Sequence, residues 1–216
     1  MSDSELLNLY TAHLAKLGEA YGRVLAANQL DALVIHSGAA QRQSRFDDQY
    51  WPHKPTPYFA HWCPLVEADA FLVIRPGQQP ALYRTAESSF WDSPAPLESH
   101  HFWGAFEVVV DSRDKLSSCV PAKTAAFIGD DEETCTALGF AASQANPPKL
   151  MAELDVVRAH KSDYERHCIG RANRIAATGH RAVAERFATG EYSELSLHLT
   201  YLEATNQDSW QTPYGN

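Results

Sequence analysis

The sequence places two adjacent carboxylates, Asp47 and Asp48, in a long loop at residues 38–64. Basic and aromatic side chains surround the pair, and four prolines interrupt the loop. Two carboxylates in such a setting can bind the amine of a ligand or contact a neighbouring subunit, and they can also lie in solvent beside arginines of their own loop. From the spacing alone the solvated loop is the favoured interpretation, although loops of this length often have a function.

The signatures of the common enzyme classes are absent from the sequence. It contains no Gly-x-Gly-x-x-Gly, Walker, Gly-x-Ser-x-Gly or His-Glu-x-x-His motif. Only His100 and His101 are close neighbours among the histidines, and adjacent residues of a strand point to opposite sides, so they are poor joint ligands. A run of acidic residues at 130–133 is explained by the start of a helix, whose dipole favours negative charge. The spacing therefore predicts no metal site in this chain.

Charge and hydropathy exclude two classes of partner. The chain has 18 Lys and Arg against 27 Asp and Glu, a formal charge of −9, which disfavours binding to the phosphates of nucleic acid. The longest aliphatic stretches, at residues 32–35 and 70–74, are far shorter than the roughly 18 residues of a membrane span. No Cys-x-x-Cys spacing occurs, and reduced thiols in a cytoplasmic protein are the simplest interpretation. The cysteines are Cys63, Cys119, Cys135 and Cys168.

Hydrophobic periodicity predicts an α/β fold for the first part of the chain. Ser2 and Glu5 form a capping-box pattern ahead of an amphipathic helix, and an apolar run at residues 31–36 predicts a strand buried on both faces. Two apolar runs on either side of a Pro-Gly turn predict a β-hairpin. The further predicted elements are strands at 70–75, 81–84, 105–111 and 125–129, and helices at 115–120 and 130–140.

The pattern changes to long helical periodicity after the prolines at 147 and 148. Ser162 and Glu165 form a second capping box ahead of an apolar stripe that Gly190 ends, and a leucine stripe follows at residues 195–202. We predict a domain boundary near residue 158, with domains at 1–157 and 158–216. The second part, about 59 residues forming two helices and a tail, is too small to complete a core of its own.

Several segments together form a recognisable set. They are LDALVIHSG at residues 30–38, Arg42-Gln43 with the loop of Asp47 and Asp48, YWPHK at 50–54, Phe90-Trp91, residues 161–168, and TPYGN at 212–216. In this combination the chain resembles the bacterial prolidases, or Xaa-Pro dipeptidases, of the type also described as organophosphorus acid anhydrolases. The resemblance extends along nearly the whole chain with the motifs in order, and full-length members of that family are about twice as long.

The resemblance implies a creatinase-like N-terminal domain, an α/β layer with a mixed sheet flanked by helices, followed by the first helices of a pita-bread metallopeptidase domain. It implies that the chain is the N-terminal portion of an enzyme that hydrolyses dipeptides with a C-terminal proline, and that it serves dimerisation and closure of the substrate pocket. The implied partners are a second copy in a homodimer, the C-terminal catalytic segment, and the dipeptide substrate.

The metal chemistry of that family is implied to lie outside this chain. Family members hold two divalent ions, commonly manganese, through five ligands that all lie beyond the position matching Asn216. No catalytic or metal-ligating residue is therefore expected here, and the chain by itself should be inactive. We expect the apolar face of the helices after residue 162 to be covered by another polypeptide or by oligomer contacts.

Two substrate-contacting residues are implied by the resemblance. Tyr214 matches a tyrosine that lines the small substrate pocket next to the metals. Asp48 matches an aspartate that reaches across the dimer into the partner's pocket, where it would compensate the ammonium of a free dipeptide. One extra residue at 44–45 relative to the family makes Asp47 the alternative for this role.

Two other functions remain open at this point. A non-catalytic creatinase-like module, as in histone-chaperone relatives that have lost the metals, would act in binding or dimerisation, but it has no reason to keep the motif around Tyr214. A small free-standing hydrolase using Asp47 and Asp48 would need a third group in register, and none is evident.

Overall fold

The structure of the chain is a computed structural model that describes residues 2–85, 100–111 and 124–212. It consists of two compact units, Met1–His160 and Lys161–Asn216. Within the described residues, no helix combines the length and the apolar character needed to span a bilayer.

The first unit contains four helices and five strands, which we number in chain order over its described residues. The helices are α1 (Asp3–Ala27), α2 (Pro57–Trp62), α3 (Glu132–Ala137) and α4 (Pro148–Ala159). The strands are β1 (Ala32–His36), β2 (Phe71–Ile74), β3 (Ala81–Thr85), β4 (Glu107–Asp111) and β5 (Ala125–Ile128). The second unit contains α5 (Asp163–Ala188) and α6 (Glu194–Thr205).

The strands form one mixed sheet in the order β4-β3-β2-β1-β5. β1 pairs antiparallel with β2 and parallel with β5, while β2 and β3 form the predicted antiparallel hairpin and β4 joins β3 in parallel. The prediction of an α/β fold with a mixed sheet flanked by helices is confirmed.

The two faces of the sheet bury different side chains because alternate residues of a strand point to opposite sides. On one face Val34, Val73 and Phe127 join a cluster that includes Cys135 and Phe140, on and just after α3. Leu33 and its partner Ile74 lie on the other face, where Ile74 lines a groove together with side chains of α1. The sheet is therefore the middle layer of this unit.

The N-terminal helix begins as predicted, with the Ser2 and Glu5 capping box in place. Its buried side chains are mostly aromatic or aliphatic, but they include the polar His13. Nε2 of His13 lies 2.8 Å from the carbonyl oxygen of His61 at the end of α2. The polar side chain of His13 can therefore be part of the core, because α2 offers it a hydrogen-bond acceptor.

Three sequence-based predictions differ from the structure: one helix was missed, and one strand and one helix have other boundaries. α2 lies within the proline-rich loop that was predicted to be irregular, since Pro57 occupies its first turn, where proline is tolerated. β4 starts at residue 107 because residues 103–105 form a turn of 3₁₀ helix. α3 is shorter than predicted, with Asp131 as its N-cap and Gly139, at a φ of 83°, just after its end. The helix predicted at 115–120 lies outside the described residues.

The second unit is an antiparallel pair of helices, α5 and α6. The Ser162 and Glu165 capping box starts α5 as predicted, and Gly190 follows its end in a left-handed conformation with a φ of 76°. Gly179 is the buried residue of α5 and lies against Tyr201 and Thr205 of α6. Large apolar side chains of this unit remain exposed: Ile169, Ile175, Phe187, Leu195 and Leu199.

A substitution of Gly179 tests this close approach of the two helices. A Cβ at this position would lie 2.5 Å from the ring of Tyr201 and 2.7 Å from the methyl group of Thr205, so Gly179→Ala must displace these side chains or the helix that carries them. We expect the free energy of unfolding to fall by about 1–3 kcal/mol in urea denaturation, despite the better helix propensity of alanine.

Gly170→Ala is the matched control on the same helix. The nearest atom to its new Cβ is the end of the flexible Arg174 side chain at 3.7 Å, so only the propensity gain remains. This variant should be more stable by about 0.5–1 kcal/mol. Equal effects of the two alanines would contradict the proposed packing.

Candidate functional site

The loop that carries the carboxylate pair is an ordered two-stranded arm. We define the arm as residues 38–56. Gln43 N–H donates to the Gln49 carbonyl at 2.8 Å, and Trp51 N–H donates to the Gln41 carbonyl at 2.8 Å. Arg42 and Tyr50 form an isolated antiparallel bridge between these two contacts. The hydrogen bonds hold the middle of the arm in one register, which its sequence did not indicate.

Side chains reinforce the ladder of the arm. Nε of Arg42 donates to the Tyr50 hydroxyl at 3.1 Å, and the guanidinium also lies 5.5 Å from the centroid of that ring. The Gln43 amide donates to the Tyr50 carbonyl at 3.2 Å. These contacts direct Arg42, one of the two arginines of the loop, toward Tyr50.

At the tip of the arm, the two carboxylates have different environments. Oδ1 of Asp47 accepts from the Gln49 N–H at 2.9 Å and so forms part of the turn. The side chain of Asp48 is exposed and, within the described residues, makes no hydrogen bond or ion pair. Two aromatic side chains beside them project from the arm, Phe46 at 84% exposure and Trp51 at 49%. Asp48 is thus the carboxylate that the turn leaves available for another molecule.

The base of the arm is tied to the carboxyl end of β1. Thr56 donates from its hydroxyl to the His36 carbonyl at 2.7 Å and from its N–H to the Ser37 carbonyl at 2.9 Å. The Asp69 N–H donates to the Gly38 carbonyl at 2.9 Å. Asp69 and Gly38 have φ angles of 56° and 109°, values that aspartate tolerates and glycine favours. The direction of the arm is therefore set by backbone hydrogen bonds at both of its ends.

Two histidines, His36 and His53, lie at this base, and their spacing in the sequence indicates no role. His36 is fully buried, stacks on Phe71 at 4.6 Å between centroids, and places Nε2 3.3 Å from Oδ1 of Asp69. Burial lowers the pKa of His53, while the carboxylates of Asp69 and Asp130 oppose that shift. The turn residues Ser37 and Gly38, which follow β1, were the sequence signal that could have marked this base.

The other residues that the sequence singled out do not form part of the arm or its base. Tyr214 lies outside the described residues, as do Phe90, Trp91 and Cys119. His100 stacks on Phe102 at 5.3 Å between centroids, and both His100 and His101 lie in a bend and turn before β4. Over the parts of the chain that the structure describes, no three His, Cys, Asp or Glu side chains converge as a metal site would require.

Comparison with known proteins identifies the relatives of the chain. The family model for the Xaa-Pro dipeptidase N-terminal domain matches residues 8–156. The Xaa-Pro dipeptidase of Edwardsiella ictaluri is 36% identical over 216 residues, and that of Pseudoalteromonas haloplanktis is 35% identical over 218. In both cases 98% of this chain is covered. The chain belongs to the Xaa-Pro dipeptidase family.

The match covers one half of these relatives. The chain spans 48% of the length of the two curated Xaa-Pro dipeptidases and aligns with their N-terminal half. The matched N-terminal domain includes the whole arm and its base.

Solved structures show the same fold at low sequence identity. Proline aminopeptidase P II from Yersinia pestis superposes with a TM-score of 0.59 at 16% identity, covering 95% of this chain and 50% of its own. Aminopeptidase P from Escherichia coli superposes with a TM-score of 0.55 at 14% identity, covering 95% and 49%. The Xaa-Pro dipeptidase family shares this fold with aminopeptidase P.

The environment of His53 in this family member predicts a dependence of stability on pH. In the unfolded chain a histidine titrates near 6.5, and in the folded chain burial places the pKa of His53 lower. As pH falls below 6.5, the unfolded chain gains a proton that the folded chain resists. The contribution of His53 to the free energy of unfolding is thus complete above pH 6.5 and is lost as pH falls through its folded pKa.

We therefore expect His53→Gln to reduce the loss of stability between pH 7.5 and pH 5. Urea denaturation of parent and variant across this range measures the difference. Above pH 7 the two curves should run parallel, which provides the internal control. Parallel curves over the whole range would contradict the environment described for this histidine.

Proposed function

We propose that this chain acts as the N-terminal half of an enzyme that hydrolyses Xaa-Pro dipeptides. The observation that carries the proposal is the 36% identity to an Xaa-Pro dipeptidase over 98% of the chain. In this proposal the first unit serves dimerisation and closure of the substrate pocket. We further propose that the protein works in the cytoplasm, as its cysteine pattern indicates, and that Tyr214 lines the pocket.

Asp48 is the residue we propose to bind the substrate ammonium. The carboxylate of Asp47 is already used by the Gln49 N–H, whereas that of Asp48 is exposed at the end of an arm whose register is held by hydrogen bonds. A free dipeptide carries an ammonium that loses water on entering a closed pocket, and a carboxylate compensates that loss through charge-assisted hydrogen bonds. This difference between the carboxylates supports Asp48 over Asp47.

The arm is also the element we propose to cross a homodimer interface. Phe46 and Trp51 expose aromatic surface on either side of the carboxylate pair, and aromatic side chains are enriched in interface cores. In a two-fold dimer each arm would meet the same surface of the other copy, so each pocket would receive one Asp48 from its partner. Such delivery would close the pocket and restrict it to short substrates.

The metals of the proposed enzyme do not fit the residues that the structure describes. No suitable cluster of ligands is present in residues 2–85, 100–111 and 124–212, and no step of the reaction is assigned to them. We propose that two divalent ions, with manganese as the metal, are held by a C-terminal catalytic segment. The exposed apolar side chains of α5 and α6, such as Ile169 and Leu199, would pack against that segment.

The role of Asp48 predicts a specific kinetic defect. In the full-length enzyme Asp48→Asn should lower kcat/KM for Xaa-Pro dipeptides by about 10- to 100-fold, because a charge-assisted hydrogen bond contributes about 1.5–3 kcal/mol. Metal content, measured by atomic emission, should not change.

Asp47→Asn is the matched control, since it removes the same charge from the neighbouring position. The asparagine can still accept from the Gln49 N–H, so the turn should persist and kcat/KM should stay within about twofold. If both variants hydrolyse dipeptides like the parent, the arm has no part in substrate binding and a binding or dimerisation module becomes the better assignment.

The proposal that a C-terminal segment holds the metals also predicts the behaviour of the 216-residue chain alone. We expect it neither to retain manganese or zinc after dialysis nor to cleave Xaa-Pro dipeptides, because the described residues offer no set of ligands at coordination distance. Metal analysis of the dialysed protein checks this. Tight, stoichiometric binding of either metal would show that the assignment of the metals to a C-terminal segment is wrong.

A further inference from the structure

Arg42 and Tyr50 form a cross-strand pair close to the carboxylate that we propose to bind the substrate. Tyr50 lies two residues after Asp48, and its bridge to Arg42 is flanked by the two backbone hydrogen bonds of the arm. The pair is therefore of the kind that exchanges no backbone hydrogen bonds of its own, in which facing side chains approach most closely. This placement explains why the two side chains meet.

Arg42 contacts Tyr50 in two ways. Its Nε donates to the tyrosine hydroxyl at 3.1 Å, and its guanidinium carbon lies 5.5 Å from the centroid of the ring. A cation within about 6 Å of an aromatic centroid is attracted by the ring, so the two contacts act together. The side chains thus join the two strands of the arm in the same register as its backbone hydrogen bonds.

The backbone ladder of the arm is short. Among the described residues, two hydrogen bonds of 2.8 Å join its strands around one isolated bridge. A two-stranded ladder of this kind is at best marginally stable in water. Side-chain contacts between the strands consequently contribute a large share of what keeps the arm in one register.

The position of Asp48 depends on this register. The next residue, Gln49, accepts from the Gln43 N–H at 2.8 Å and donates from its own N–H to Oδ1 of Asp47 at 2.9 Å. The side-chain amide of Gln43 also donates to the Tyr50 carbonyl at 3.2 Å. A shift of register by one residue would reverse the faces of the strand that follows Asp48 and would therefore move its carboxylate.

We propose that Arg42 is a positioning residue of the enzyme. By binding Tyr50 across the arm, it holds the Asp48 carboxylate at the place where the substrate ammonium binds. This inference rests on the role proposed above for Asp48. Arg42 itself contacts no substrate and acts only through Tyr50 and the ladder, so its loss should weaken the interaction that Asp48 makes.

Arg45, the other arginine of the arm, has a different environment. Its guanidinium carbon lies 4.6 Å from the ring centroid of Phe46, its immediate neighbour in the chain, and within the described residues it makes no hydrogen bond or ion pair. A contact between adjacent residues does not fix the register of two strands. Arg45→Gln is therefore the matched control, since it removes the same charge from the same arm without breaking a contact across it.

Kinetics of the full-length enzyme with Xaa-Pro dipeptides test the proposal. Arg42→Gln should raise KM by about 3- to 10-fold and change kcat by less than about twofold, because binding of the ammonium is common to the ground state and the transition state. Tyr50→Phe, which removes the hydroxyl but keeps the ring, should raise KM by about 2- to 5-fold. A parent-like KM in Arg42→Gln, or an equal rise in Arg45→Gln, would overturn the proposal.

A double variant distinguishes positioning of Asp48 from a general structural effect. In the Asp48→Asn enzyme, adding Arg42→Gln should lower kcat/KM by no more than about twofold, because the interaction through which Arg42 acts is already lost. Losses that multiply fully would show that Arg42 does not act through Asp48. Parent-like kinetics of Asp48→Asn would refute the role of that carboxylate and this inference with it, whereas a defective Asp48→Asn beside a parent-like Arg42→Gln would refute the positioning role alone.

Amide hydrogen exchange of the full-length enzyme gives a readout that does not require activity. In Arg42→Gln the N–H groups of Gln43 and Trp51 should exchange faster than in the parent by about threefold or more, while those of β1 should not change. Arg42→Lys, which restores the cation but not the planar guanidinium, should recover part of the protection. Unchanged exchange of both arm amides in a folded Arg42→Gln would show that the arginine does not hold the ladder.

Discussion

The burial of β1 on every side is the constraint on which the first unit depends. Its residues pair with β2 along one edge and with β5 along the other, and all of them are buried. A strand in this position can carry no exposed polar residue, and a shift of register by one residue would exchange its two faces. The rest of the unit is arranged around this strand. Its alternate side chains pack on one face against the cluster with α3 and on the other face against the layer that contains α1.

The same constraint creates the base of the arm. Where β1 ends, its last carbonyl groups lose their neighbours in the sheet, and Thr56 and Asp69 supply donors to the carbonyls of residues 36–38. Buried backbone carbonyls must find such partners, so the two ends of a 19-residue loop are brought to one place. The ladder between Gln41 and Trp51 then extends that order outward. A carboxylate at the tip is thereby presented by a supported element, which suits a residue that acts on another molecule.

Local sequence patterns correctly predicted those features that depend only on residues close together in the chain. The capping boxes at Ser2 and Ser162 and the hairpin of β2 and β3 are confirmed, because a cap or a tight turn needs only residues within a few positions. Irregular segments were less predictable. α2 was missed within the proline-rich loop, since its burial depends on contacts with distant residues, such as the hydrogen bond between the Tyr10 hydroxyl and the Trp62 carbonyl.

The sequence by itself determined the α/β class, the central buried strand and, through its motifs, the family. It also identified the two carboxylates, but it could not tell them apart, because both have the same chemistry and adjacent positions. Only the tertiary structure decided that Asp47 is bound in the turn while Asp48 is exposed. It alone brought His53 and Asp130, which are 77 positions apart in the sequence, together beside Gly38. The reason is physical: periodicity records which side of an element is apolar, whereas convergence of polar groups depends on the register and crossing of elements that are distant in the chain.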